Sequence, residues 1–202
     1  QEEIVTAYNN YEFHLIYQLL HQFCVVEMGG FYLDIVKDRQ YTSATDSLAR
    51  RSTQTAMYHL VQMFTRWLAP IMSFTADEIW KYIPGEKSDS VFLEEWYPFE
   101  IDEPESNNRK SKWTSIITIR DEINKQLETL RVDGAIGSSL DAEVDLYCDE
   151  KVSQQLSEIE DELRYVLITS YARLHSDAER HEAAIDSEIT GLSILVKPSE
   201  HK

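Results

Sequence analysis

The sequence predicts a mainly α fold in three parts: a helical bundle, a linker, and a long helix joined to a small α/β unit. Three observations predict it. Apolar side chains recur every three or four residues through much of the first half and again over 116–130, the period of a helix buried along one stripe. Strict alternation of apolar and polar residues appears only after residue 142. Glycine and proline gather at the joints, at Gly29-Gly30, Pro84-Gly85 and Pro98.

Each element follows in order. Tyr8, Tyr11, Leu15, Leu19, Phe23 and Val26 are spaced 3, 4, 4, 4 and 3 apart and predict one helix over 8–26, which Gly29-Gly30 should break. A short helix over 31–36 comes next, and the polar run Lys37-Asp38-Arg39-Gln40-Tyr41 falls near a helix end. Ser43, Thr45 and Asp46 offer N-caps to a long helix carrying Ala49, Ala56, Leu60, Met63 and Trp67 on one face, which Pro70 should end. Thr75-Ala76-Asp77-Glu78 fits a capping box that opens a short helix through Ile79 and Trp80. Residues 1–86 thus read as the bundle.

Residues 87–108 read as the linker. Val91-Phe92-Leu93 is expected as a short extended segment, and 98–108 is acidic and interrupted by proline. Ile116, Ile119, Ile123, Leu127 and Leu130 predict a long helix over 109–131, ending near Asp133-Gly134. Val144, Leu146 and Cys148 alternate with Glu143, Asp145 and Tyr147 as a half-buried strand. Val152, Leu156, Ile159 and Leu163 are helical again, and 171–175 and 192–196 read as two more strands. Residues 109–202 form the third part.

Composition bounds the function. The chain has 202 residues, of which 43 % are hydrophobic, enough for one large domain or two small ones. No run of 18 or more apolar residues exists, so no membrane span is expected. The chain opens on Gln1-Glu2-Glu3 with neither a signal peptide nor an initiator Met, and is expected to be a fragment. Cys24 and Cys148 form no CxxC pair, so neither a zinc site nor a disulfide framework is expected, and a reducing cytoplasm fits. The net charge is −17, which taken whole opposes nucleic acid. The charge is uneven, however: residues 1–82 hold six basic and nine acidic side chains, and residues 83–202 hold thirteen and twenty-seven. A localised cationic face is therefore possible in the first half only.

No phosphate-binding glycine loop, dinucleotide fingerprint, nucleophile elbow or HExxH motif is present, and no catalytic residue is assigned. His14 and His21 stand seven apart without a third ligand, and surface or core-edge histidines are the better account of them, so no metal site is assigned. The chemistry that remains is binding. Lys37, Arg39, Arg50, Arg51 and Arg66 are five of the six basic residues of the bundle, and Gln40, Tyr41, Gln54 and Trp67 lie among them. Guanidinium forks hold phosphates or base edges, and rings stack unpaired bases, which suits a single-stranded RNA loop better than a duplex. The bland alternative pairs Lys37 and Arg39 with Asp34 and Asp38 on the surface and buries Trp67.

The segments FYLDIVKDRQY (31–41), DSLARRSTQTAMYHL (46–60), RWLAPIMSFTADEIWKYIPGE (66–86) and VFLEEWYP (91–98) resemble the anticodon-binding region of class I aminoacyl-tRNA synthetases of the isoleucine type. The later run through Trp113, Arg120, Asn124 and Lys125 to IGSSLDAEV (136–144) fits the same pattern, so the resemblance spans roughly 8–196. The FTADEIW run is shared with the valine, leucine and methionine enzymes, whereas YLDIVKDR followed by ARRS is more particular to the isoleucine type. The resemblance implies an anticodon-binding helical bundle of the class I synthetase type, followed by a helix and a small α/β appendage. It implies the anticodon stem-loop of tRNA(Ile) as partner, no DNA, and a monomer. It also implies that isoleucine is joined to tRNA elsewhere in the longer enzyme, with ATP and magnesium and in some members zinc, because the HIGH and KMSKS signatures are absent here. One departure is Val132-Asp133-Gly134-Ala135, where relatives carry lysines.

The expected RNA-binding set is Lys37, Arg39, Gln40, Arg50, Arg51, Gln54 and Arg66, with no cofactor held in these 202 residues. Two alternatives stay open: the corresponding region of the valine or leucine enzyme, or an acidic helical adaptor that docks a protein in an exposed apolar groove.

Overall fold

The computed structural model describes residues 1–98 and 103–200, with the backbone alone described within 103–108. The chain divides into two compact units, Gln1–Glu100 and Ile101–Lys202.

The first unit is helical. Helices α1 (Glu2–Asn9) and α2 (Phe13–Gln22) lead through a π-wound segment (Phe23–Tyr32) into α3 (Leu33–Thr42), and α4 (Leu48–Leu68) and α5 (Ser73–Tyr82) complete it. Ile4, Ala7, Ile16, Leu20, Trp67, Leu68, Ala76 and Trp80 form its core, so the buried mass lies at the C-terminal half of α4. The N-terminal half of α4 is left to α3 and to solvent.

Four local expectations are corrected. The stripe over 8–26 is two helices, because Tyr11 takes a left-handed φ of 58°, a conformation a tyrosine adopts only under constraint. Gly29-Gly30 does not break the chain's helix. A Cβ on Gly29 would stand 3.1 Å from the Cys24 carbonyl oxygen, and one on Gly30 would stand 3.3 Å from that of Val25, each five residues back. The glycines therefore admit the wider π turn where a side chain would crowd it, and the helix changes pitch instead of ending. Helix α4 is capped by Ser47, whose Oγ accepts from the Arg50 amide at 3.3 Å, and not by Ser43, Thr45 or Asp46. Helix α5 opens at Ser73, so Thr75–Glu78 lies inside it; the Asp77 carboxylate accepts instead from Ser90 Oγ at 2.8 Å. Residues Val91–Leu93 form a 3-10 turn, not an extended segment.

Continuity through the glycines has a consequence. The stretch Phe13–Thr42 contains an 18-residue window of mean hydropathy 1.3, long and apolar enough to cross a membrane by length and composition, and only 11 % of that window is buried. The expectation that no such segment exists is overturned, although Ile16 and Leu20 are committed to the bundle core.

The predicted linker lies partly outside the described residues, at 99–102, and its last part belongs to helix α6 (Glu103–Val132) of the second unit. After α6 come strand β1 (Ala142–Cys148), helices α7 (Glu150–Ser157) and α8 (Leu163–Leu167), and strands β2 (Tyr171–Ser176), β3 (Ile185–Asp186) and β4 (Leu192–Pro198). The sheet order is β2-β1-β4-β3. Strand β2 runs parallel to β1, as the α7–α8 crossover requires, and β4 runs antiparallel to it with Asp145 opposite Leu195. The one helix read from Val152 to Leu163 is two, split by a 3-10 turn at Glu160–Glu162. Gly191, at φ 83°, leaves room for the Asp149 carboxylate that caps α7; a Cβ there would meet it at 2.1 Å.

Candidate nucleic-acid interface

Helix α4 carries three of the seven expected RNA-binding side chains at its start or end, with Gln54 between them. Arg50 and Arg66 are sixteen residues apart, which at helical rise is about 24 Å. One hairpin loop contacting the first turn is not held by the last.

Arg66 is 8 % exposed and fully engaged. Its Nε donates to the Glu95 carbonyl at 2.9 Å, Nη1 to the Gln62 carbonyl at 2.9 Å, and Nη2 to Glu94 Oε2 at 2.5 Å. The guanidinium also lies 4.8 Å over the Trp80 ring and 5.2 Å over that of Tyr97. Ser88 Oγ bonds the other Glu94 oxygen, and with Arg66 it holds that carboxyl below its ordinary pKa. This clasp ties α4 to the segment after α5, so Arg66 is withdrawn from the RNA-binding set: its donors are spent inside the fold. A cleft of about 600 Å³ opens beside it, lined by Pro70, Phe92 and Trp96 among others, but its one cation is already neutralised.

The other end of α4 is built differently. Residues 43–47 turn the chain from α3 into α4, and this corner gathers the remaining six. On α3, Lys37, Gln40 and Tyr41 fall three and four residues apart and so share a face. Lys37 reaches Asp34 Oδ1 at 3.4 Å, a pair about half exposed. Arg39 is half-buried on another side of α3, near enough to Tyr32 to oppose the rise that burial gives that phenol. Tyr41 is 85 % exposed. On α4, Arg50 Nη1 donates to the Ser43 carbonyl at 3.1 Å, while Arg51 and Gln54 are exposed and their side chains have no partner among the described residues.

Electrostatics sharpen the contrast. Helices α1 and α7 place Glu2, Glu3 and Glu150 in their first turns, where acidic groups favour the positive end of the helix dipole. The first turn of α4 has no acidic residue and instead leads straight into Arg50 and Arg51. Two cations there oppose the dipole and each other, a local cost that concentrates positive potential at the corner.

The second unit closes its cations on its own carboxylates. Arg173 bonds Glu143 at 2.7 Å and Asp145 at 3.2 Å, His175 bonds Asp145 at 3.0 Å, and Lys197 pairs with Asp145 at 3.0 Å. Lys112 pairs with Glu158, Lys125 with Glu122, Arg131 with Glu128 and Arg180 with Asp186. Trp67, the second aromatic of the expected set, is core, its Nε1 donating to Gln1 at 3.1 Å. Leu48, 82 % exposed at the start of α4, sits at the corner without any sequence signal to mark it.

Among the described residues no group of three His, Cys, Asp or Glu side chains is placed to hold a metal ion. An apolar groove of about 350 Å³ does exist in the first unit, lined by Phe23, Met28, Leu33, Met57, Leu60 and Phe64 among others, as a docking protein would have.

Comparison with known proteins bears on the corner. Residues 1–146 match the family model described as the anticodon-binding domain of tRNA ligase. The chain is similar to isoleucine–tRNA ligases: 54 % identical to that of Nitrosococcus oceani over 100 % of this chain and 22 % of that protein. It is 52 % identical to that of Methylococcus capsulatus over 98 % of this chain and 21 % of that protein, and 50 % identical to that of Coxiella burnetii over 99 % and 21 %. The chain thus spans about a fifth of the length of these relatives.

Proposed function

The chain belongs to the anticodon-binding domain family of tRNA ligases, and from that premise we propose that its α3–α4 corner holds the anticodon stem-loop of tRNA(Ile) for an isoleucine–tRNA ligase. The observation that carries this reading is the pair Arg50-Arg51 at the positive end of α4, with no acidic residue in the first turn. Lys37, Arg51 and the dipole of α4 attract phosphates and position the loop. Arg50, Gln40 and Gln54 offer hydrogen bonds to base edges, and exposed Tyr41 offers a stacking face. The self-neutralised second unit, in a chain of net charge −17, repels RNA that lands elsewhere and favours one docking orientation.

The joining of isoleucine to tRNA, with ATP and magnesium and with any zinc, is assigned to other parts of the longer protein, acting in the cytoplasm as a monomer. These 202 residues would contribute recognition alone.

The test is an Arg50→Glu/Arg51→Glu double variant, assayed for tRNA(Ile) binding at low salt. Affinity should fall more than tenfold, and the salt dependence should flatten by about 1.4–1.8 in log–log slope if two phosphates are lost. Unchanged affinity overturns the corner as the site. The apolar groove supports a second reading, a protein-docking module. That reading takes over if the wild-type chain binds no tRNA(Ile) at low salt while Met57→Glu abolishes binding to a protein partner.

A further inference from the structure

We infer that Gln40 and Arg50 form the base-reading pair of this corner, donating to the acceptor-bearing edge of one unstacked nucleotide, while Lys37 and Arg51 carry phosphates; this rests on the RNA reading above. The observation is a pair of orphans. Gln40 Nε2 and Arg50 Nε are covered from solvent and have no hydrogen-bond partner. Folded proteins leave few such groups, because a donor stripped of water and given nothing in return destabilises the fold. Two of them fall at one corner, one on each of the helices that meet there.

The chemistry of the two groups selects a base over a phosphate. The Gln40 amide is uncharged and offers both donor and acceptor atoms, which matches a base edge and gains little from a phosphate. Arg50 Nε–H can only donate. One Arg50 bond, from Nη1 to the Ser43 carbonyl, anchors its head in the free chain. Exchanging that bond for a base acceptor releases the guanidinium fork, and the orphaned Nε–H and the Gln40 amide gain partners in the same step. Recognition is then stronger for a base that satisfies both than for one that leaves either bare, which is how a site built on donors discriminates.

The experiment uses the 202-residue chain and a panel of tRNA(Ile) anticodon stem-loops, each with one loop base replaced. For Gln40→Met and for Arg50→Lys, discrimination at one loop position should fall about tenfold while the salt slope stays that of the wild type. Arg51→Ala should do the reverse, lowering the slope by about 0.7–0.9 with discrimination intact. In ¹⁵N-labelled wild-type chain, the Gln40 side-chain amide and Arg50 Nε–H resonances should move downfield on adding the native stem-loop. A Gln40→Met variant that weakens every stem-loop equally and changes the slope makes Gln40 a phosphate contact and overturns the pair. So do resonances that stay put while the stem-loop binds. Wild-type chain that binds no stem-loop at low salt overturns the RNA reading itself, a distinct result.

Discussion

Arg50 and Arg66 stand on one helix, and their surroundings give them opposite work. Arg66 is enclosed by a carboxylate, two carbonyls and two rings. Arg50 has one bond to a carbonyl and one covered donor with no partner. The side chain is the same, and so is the helix. What differs is the neighbourhood: the C-terminal half of α4 runs through the core and meets the segment 94–97, whereas its first turn meets only α3 and a five-residue turn. A guanidinium enclosed by its own fold is a fastener, and one left short of acceptors is a contact waiting for a ligand.

The comparison breaks most visibly at Arg66. Arg66→Met leaves Glu94 without its cation and empties the space between Trp80 and Tyr97, so unfolding stability should fall by about 3–5 kcal/mol. Trp67, Trp80 and Trp96 all lie in the first unit and Trp113 in the second, so tryptophan fluorescence in denaturant reads mainly the affected unit. If the variant is as stable as the wild type yet binds RNA poorly, the assignments of Arg66 and Arg50 must be exchanged.

Acid should produce a smaller loss with the same address. Ser88 and Arg66 hold the Glu94 carboxyl below its ordinary value of 4.5 in the folded chain. A carboxyl depressed in this way contributes stability that is complete above its unfolded pKa and is lost as pH falls through the folded one. Asp145 behaves alike: burial pushes its pKa up, but bonds from His175, Lys197 and Arg173 outweigh that and leave it lowered. Melting temperature should therefore drop as pH falls from 5 toward 3, and Glu94→Gln should flatten the part of that slope read by first-unit fluorescence. The corner's cations have no such dependence, apart from Lys37 and its partner Asp34.

How much of this was legible in the sequence follows from what each signal measures. The apolar stripes gave α4, α6 and strands β1, β2 and β4, because periodicity reports burial and these elements are buried on one side. It could not report pitch, so the π segment at Gly29-Gly30 passed for a break. Nor could it report a reversal that keeps one face inward, so the turn at Tyr11 was invisible. Strand β3 has two residues, too few for any alternation. Six of the seven expected binding residues meet at one corner because they lie within eighteen positions of chain on adjoining helices, where sequence proximity and spatial proximity agree. Arg66 misled for the opposite reason. Its partners Glu94, Glu95 and Tyr97 are about thirty positions away, and only the fold reveals that they converge.

Ser47→Ala sharpens the contrast at the corner. Loss of the cap should cost about 1 kcal/mol, since the Arg50 amide then loses its side-chain acceptor. The cap fixes where α4 begins, and hence where Arg50 and Arg51 point, so RNA affinity should fall with it even though no charge changes. Affinity that is untouched while stability falls would mean the two arginines find the RNA without a fixed helix start.

The smallest effect is the most discriminating. Arg51→Glu removes a cation from the positive end of α4 and puts an anion there. The exchange should raise stability by roughly 0.3–1 kcal/mol, because the helix dipole favours an acidic group in its first turn. Arg51 has no partner among the described residues, so nothing is lost in return. The same change should weaken tRNA(Ile) binding, since a phosphate would then face a carboxylate. A variant that is both more stable and poorer at binding shows that the cation stands there at the expense of the fold. A variant that is less stable, or that binds as well as before, shows that Arg51 serves the helix after all, and with it goes the argument from the uncapped charge at the head of α4.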